Sequence, residues 1–300
     1  MIPYHLEKED LMKKISLIIV FGLIITTCLT GCLKKDKMED INIATTIYPI
    51  EYVTNRLYSD HSTVESIYPR GAIASTYKIT KKQLKDYSQY DLFIYNGESK
   101  EREYATKMLS NNKHLKIIDA AYGVDTIYSN SDIWLNPANI LMLGQNIKTE
   151  LNGYISDPYL VKELEDKYTL LKVDITELET EMKKANDNSI NNTIVVADES
   201  LNFLKKYGFN VINLTNNGKN KESNIEKAKS LMYTKDINYV FITENSKEYE
   251  IVKTLTTNYP VETLTFRTIE TITEEDVENN DDYLSIMHSN IDLLKQETYK

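Results

Sequence analysis

Apolar residues fall at Leu160, Leu164, Tyr168, Leu171, Ile175, Leu178, Met182 and Ala185, always three or four positions apart. That spacing puts them on one stripe of an α-helix and predicts a helix over 157–188. Charged side chains, among them Lys162, Glu163, Lys172, Glu177 and Lys183, fill the opposite face. Asp157 suits an N-cap, Pro158 suits a first turn, and Asn186-Asp187-Asn188 stops the pattern. At about 1.5 Å per residue such a helix runs roughly 45 Å, enough to serve two small lobes as a strut. A coiled-coil dimer is the other use of such a stripe, and about four heptads is near the minimum for one.

On both sides of this helix, short β-branched and aromatic runs alternate with helical stretches. The pattern predicts strands over 41–48, 64–68, 91–95 and 115–118, and again over 193–197, 211–214, 239–243 and 261–266. It predicts helices over 49–58, 79–87, 101–109 and 137–151, then over 201–207, 223–233, 247–258 and 283–296. Strand–helix alternation implies parallel sheets covered on both faces. The expected fold is therefore α/β, with two (βα) lobes of parallel sheet joined by one long rigid helix. The expected domains are an N-terminal lobe over 41–156, the linking helix over 157–188, and a C-terminal lobe over 189–300. Ligands bind beyond the carboxyl ends of parallel strands. Those ends are Thr46-Ile47-Tyr48, Pro69 through Ser75, Asn96-Gly97-Glu98, Asp198-Glu199, Thr243-Glu244 and Thr265 through Arg267.

The N-terminus changes the picture. Ile15 to Leu29 is an apolar run after Lys13-Lys14, shorter than the roughly 20 residues a spanning helix needs. It reads as a signal peptide over 1–31, with Met12 a better start than Met1 because Glu7, Glu9 and Asp10 spoil a basic leader. Leu29-Thr30-Gly31-Cys32 resembles the lipobox of bacterial lipoproteins. That resemblance implies cleavage before Cys32, lipid attachment to its thiol, and a place at the extracytoplasmic face of the cell membrane. Residues 32–40 then form a tether. Cys28 leaves with the leader, so no disulfide, thiolate metal site or cysteine nucleophile remains. The net charge of −10, without a basic stripe, excludes nucleic-acid binding and leaves the lipid as the only membrane contact. No serine-hydrolase elbow, phosphate-binding glycine loop or paired-histidine zinc motif occurs, so the chain is not read as an enzyme.

Several segments together resemble the metal-binding lipoproteins of bacterial zinc and manganese ABC importers, the cluster A-I substrate-binding proteins. They are Ile43 to Ile50, Tyr68-Pro69-Arg70-Gly71-Ala72, Asp91 to Gly97, Ile133-Trp134-Leu135-Asn136-Pro137, Lys206-Tyr207-Gly208 and Tyr283 to Met287. The resemblance implies two lobes stiffened by one helix, a monomer, and delivery of an ion to a membrane permease. It also implies a ligand set, and there the sequence departs. Ser75 stands where the family has a histidine after the Pro-x-Gly-Ala turn, and Asp132 where it has one before Ile-Trp-Leu. Asp198 stands at the third position, and Thr265 is the nearest match to the fourth. The four histidines, His5, His61, His114 and His288, lie on separate elements and lack ligand spacing.

Ser75, Asp132, Asp198 and Thr265 make an all-oxygen set, with Asp132 and Asp198 as the metal-binding pair and Glu98 or Glu199 within reach of joining. Zinc favours nitrogen and sulfur, whereas manganese, magnesium and calcium accept oxygen. The expected cargo is a divalent cation of the manganese or zinc class. A small cationic solute facing Tyr48, Tyr77, Tyr95 or Trp134 is the other chemistry such a site allows. The competing reading is local: Asp198 caps a helix, and Asp132 and Ser75 serve turns. On that reading the chain is a degenerate surface lipoprotein, kept for adhesion or for contact with a partner.

Overall fold

In a computed structural model, residues 35–128, 131–215, 220–244, 246 and 249–300 are described. The expected signal peptide and Cys32 lie outside them. The chain divides into Met1–Lys37 and Met38–Lys300. Of the first unit only Lys35, Asp36 and Lys37 are described, and they form no helix or strand. The second unit holds both sheets and the linking helix.

The first half of this second unit runs β1 (Ile41–Thr45), α1 (Tyr48–Tyr58), β2 (Ser62–Ser66), α2 (Lys81–Tyr87), β3 (Leu92–Tyr95), α3 (Glu101–Asn111), β4 (Lys116–Asp119) and α4 (Pro137–Tyr154). The linking helix α5 (Pro158–Asp187) comes next. The second half runs β5 (Thr193–Val196), β6 (Asn210–Asn213), α6 (Lys221–Tyr233), β7 (Tyr239–Ile242), α7 (Glu250–Asn258), β8 (Glu262–Thr265), α8 (Glu274–Glu278) and α9 (Tyr283–Thr298). Among the described residues there are also three 3₁₀ segments, Ser59–His61, Ile133–Leu135 and Glu199–Tyr207.

The two sheets share one topology. All pairings are parallel, in the order β2-β1-β3-β4 and β6-β5-β7-β8. In each sheet the chain runs outward from the first strand to one edge and then crosses to the other side. The strand order therefore reverses between β1 and β3, and again between β5 and β7. Loops leaving those strands diverge and open a crevice, the usual ligand position in such sheets. Central strands are apolar on both faces, as in Leu92-Phe93-Ile94-Tyr95, because helices cover both sides.

Helix α5 begins at the Asp157 cap, whose carboxylate accepts the Tyr159 amide at 2.8 Å. Leu160, Leu164, Leu171, Ile175, Leu178, Met182 and Ala185 are all buried, and Tyr168 is half-buried. Each buried leucine or isoleucine contributes roughly 1.5–3 kcal/mol. The stripe packs on α1 and α4 of the first lobe and on α9 of the second. Ion pairs fasten the polar face to both: Arg56–Asp174 at 2.5 Å and Lys148–Glu165 at 2.6 Å on one side, Lys295–Glu181 at 2.7 Å on the other. His61 and His288 pair with Glu163 and Glu181 of the same helix, which accounts for both as struts. No helix among the described residues is long and apolar enough to cross a membrane.

Candidate functional site

Asp198 leaves the end of β5 and Glu244 the end of β7, the two strands flanking the reversal in the second sheet. The Asp198 carboxylate accepts the Ser200 amide at 2.9 Å and the Ser200 hydroxyl at 2.8 Å, so it caps the 3₁₀ segment that follows. Its other oxygen accepts the Thr243 hydroxyl at 2.7 Å. Glu244 accepts the Thr268 amide, at 3.0 Å for the nearer oxygen, and lies 3.9 Å from Arg267. Arg267 is itself committed to Asp276 through two bonds of 2.7 and 2.9 Å, which hold that carboxyl well below the usual range.

Asp132 comes from the first lobe. It adopts a left-handed backbone, φ 45°, which aspartate tolerates better than most residues. The turn after it is gripped by the second lobe. Trp134 Nε1 donates to the Thr268 carbonyl at 2.6 Å, and the Trp134 carbonyl accepts the Tyr283 hydroxyl at 2.7 Å. Asn136 Oδ1 accepts the Tyr207 hydroxyl at 2.7 Å and the Lys206 ammonium at 3.3 Å. These bonds hold the turn that follows Asp132, whose carboxyl lies within the field of Glu270, Asp198 and Glu244.

Glu270 arrives from the segment after β8. Ile269, just before it, is buried with φ 59°, a strained geometry for a β-branched residue. The segment is stitched across the lobes. The Tyr48 amide donates to the Glu270 carbonyl and the Gly71 amide to the Ile272 carbonyl, each at 3.0 Å. The Ala74 amide donates to Glu270 Oε1 at 3.1 Å.

Of the sequence-derived set, Asp132 and Asp198 lie within one another's electrostatic reach. Ser75 is exposed, next in the chain to the Ala74 amide that donates to Glu270, and its carbonyl accepts Lys100 Nζ at 3.2 Å. Thr265 ends β8 on an exposed face, paired in register with Ile242, and the carboxylate that reaches the cluster from this segment is Glu270. Glu98 is exposed, and Glu199 lines the second lobe's crevice with Asp198 and Tyr249. The aromatic candidates are packing groups: Trp134 is buried, Tyr77 meets Tyr68 edge-on, and Tyr95 stacks on Phe93 at 5.5 Å.

The acidic groups border three spaces. Glu244 and Glu270 line an interlobe cleft of about 490 Å³ with Gly71 and Arg267. Asp198 lines a crevice of about 520 Å³, and Asp132 a void of about 10 Å³. Among the described residues, no three His, Cys, Asp or Glu side chains stand close enough to hold a metal ion in this arrangement.

A fifth acid lies at the matching reversal in the first sheet. Glu101 follows β3, is buried, and accepts the Asn96 amide at 3.0 Å. The buried Thr46 and Tyr68 hydroxyls face it. Burial pushes the Glu101 carboxyl up to about 7. Burial, reinforced by Glu270, Asp198 and Glu244, pushes Asp132 to about 7 as well. Both acids hold protons at pH values where the unfolded chain has lost them. From the ordinary carboxylate range to about pH 7 the folded state thus binds more protons, and stability falls as pH rises. The melting temperature of the metal-free chain is expected to drop between pH 5 and pH 8. Glu101→Gln should flatten that slope, whereas a flat wild-type profile would contradict this charge arrangement.

A model of the family described as zinc-uptake complex component A, periplasmic, matches residues 43–297. The chain belongs to the zinc-uptake component A family. Zinc-binding lipoprotein AdcA of Streptococcus pneumoniae is 24% identical over 96% of this chain, which spans 61% of AdcA's length. Manganese ABC transporter substrate-binding lipoprotein PsaA of Streptococcus anginosus is 28% identical, over 95% of this chain and 99% of PsaA. The crystal structure of the metal-dependent lipoprotein YcdH from Bacillus subtilis superposes with a TM-score of 0.73 at 19% identity, covering 87% of this chain and 100% of that one. The Zn(II)-bound ZnuA-like domain of AdcA gives 0.71 at 21% identity, covering 87% and 100%. These likenesses establish the two-lobe fold shared within the zinc-uptake component A family.

Proposed function

We propose that the chain is the extracytoplasmic cation-binding protein of an ABC importer, a monomer anchored through Cys32, which hands a hard divalent cation to a membrane permease. It binds and releases, and performs no catalysis. The supporting observation is that Asp132 lies within the field of Glu270, Asp198 and Glu244, four acids from four separate segments, of which Glu244 and Glu270 line the interlobe cleft. Like charges gathered in partly buried surroundings are costly, and a cation offsets that cost. Asp132 and Asp198 are the central ligands, with Glu270 and Glu244 completing an oxygen set after a small shift of side chains.

Oxygen donors alter selectivity. Affinities for a given site generally rise from manganese towards zinc, and imidazole suits zinc better than it suits manganese. Replacing imidazole by carboxylate should shrink the zinc advantage to roughly tenfold or less. Titration calorimetry with Mn²⁺ and with Zn²⁺ tests this: both should release heat at one site, with dissociation constants within about a decade. No heat from any divalent ion would remove the transport reading and leave a surface lipoprotein that keeps only the fold.

A further inference from the structure

The acidic cleft already has a cation of its own. Lys100 lies in the loop after β3, at the strand reversal of the first sheet. Its ammonium donates to the Ser75 carbonyl at 3.2 Å, while the neighbouring Ala74 amide donates to Glu270 Oε1 at 3.1 Å. Ammonium and carboxylate therefore meet on adjacent residues of one short loop. The charge of Lys100 acts on Glu270 through space. Arg267, which lines the cleft, is pinned by two bonds to Asp276, and Arg70, next to Gly71, is paired with Glu274 at 2.8 Å, whereas Lys100 is exposed and held by one bond to a carbonyl.

We propose that the Lys100 ammonium is a tethered counter-ion of the acidic cleft, displaced by an arriving divalent cation, and that it thereby sets the affinity of the site. This rests on the proposed function, in which the cleft takes a divalent ion. Without cargo, the ammonium offsets part of the repulsion among the carboxylates. A divalent ion brings twice the charge without a side-chain tether, and it expels the ammonium into solvent. The four-carbon stem of lysine lets the charge swing clear without moving the backbone. The replacement of a neutral histidine by Ser75, which the family resemblance implies, leaves that corner open for the lysine to fill.

Calorimetric titration of the full chain with MnCl₂ tests the proposal. Lys100→Gln should bind Mn²⁺ on the order of tenfold tighter at low ionic strength, and the gain should shrink near 1 M salt, where the Debye length falls to about 3 Å. Lys100→Arg, which keeps the charge, should bind as wild type. Lys113→Gln, the same change in net charge at the opposite end of the sheet, should also bind as wild type. Wild-type binding with unchanged or weaker affinity in Lys100→Gln overturns the tethered counter-ion alone. The absence of Mn²⁺ heat in both wild type and Lys100→Gln overturns the cation site and this proposal with it.

Discussion

An Asp132→Asn, Asp198→Asn double variant is expected to bind Mn²⁺ at least a hundredfold more weakly than wild type while remaining folded. Interactions with charged groups are worth about 1.5–3 kcal/mol each, and two of them exceed the roughly 2.7 kcal/mol that a hundredfold change requires. The local roles survive the substitution. Asparagine is as good an N-cap as aspartate, so the bond to the Ser200 amide remains available at 198. Asparagine also tolerates the left-handed backbone at 132. The metal-free double variant should melt no lower than wild type at neutral pH, because like charges around Asp132 have been removed. Calorimetry and a thermal melt on the same sample separate ligand from cap. Unchanged Mn²⁺ affinity would mean that both aspartates serve only their turns.

Trp134→Ala should lose about 3–5 kcal/mol of stability, the usual range for truncating a large buried aromatic. Against a total of roughly 5–15 kcal/mol, that brings the chain near unfolding at body temperature. Two losses combine: the buried ring leaves a cavity, and the Thr268 carbonyl loses its partner. Trp134→Phe keeps most of the volume and drops only the indole N–H, so its cost should be nearer 1–3 kcal/mol. Urea unfolding measures both. A loss below about 1 kcal/mol for the alanine variant would show that the turn after Asp132 is not fastened through this ring.

Much of this architecture is legible in the amino-acid order. Spacing alone locates α5, because seven of its eight stripe positions are buried and its ends carry ordinary stop and start signals. The strands follow from short apolar, β-branched runs such as Thr193-Ile194-Val195-Val196. The single-turn helix α8 is harder to read: it holds no apolar stripe, and its only signal is the capping box between Thr273 and Asp276. Residues 201–207 read as a helix, but the segment Glu199–Tyr207 winds as 3₁₀. Asp132 and Asp198 are visible as candidates because they border recognisable motifs. Glu270 is not, since its position depends on Ile269 taking a backbone angle that propensity disfavours for that residue. Its one sequence signal is an isolated acid amid Thr268-Ile269 and Thr271-Ile272-Thr273. Lys100 and Glu101 escape for another reason: their importance appears only once two strand reversals face one another.

The attachment of the Ile133–Asn136 turn has a mechanical consequence. By chain order Asp132 belongs to the first lobe, yet Thr268, Tyr283, Tyr207 and Lys206 of the second lobe hold the turn behind it. The acidic cup is therefore built almost entirely against one wall, and the opposite wall supplies mainly a rim: the Ala74 amide, Ser75 and Lys100. Parting the walls would lift the rim and leave the cup whole. On the proposed function, cargo in such a vessel is exposed to the permease before it is stripped of its ligands.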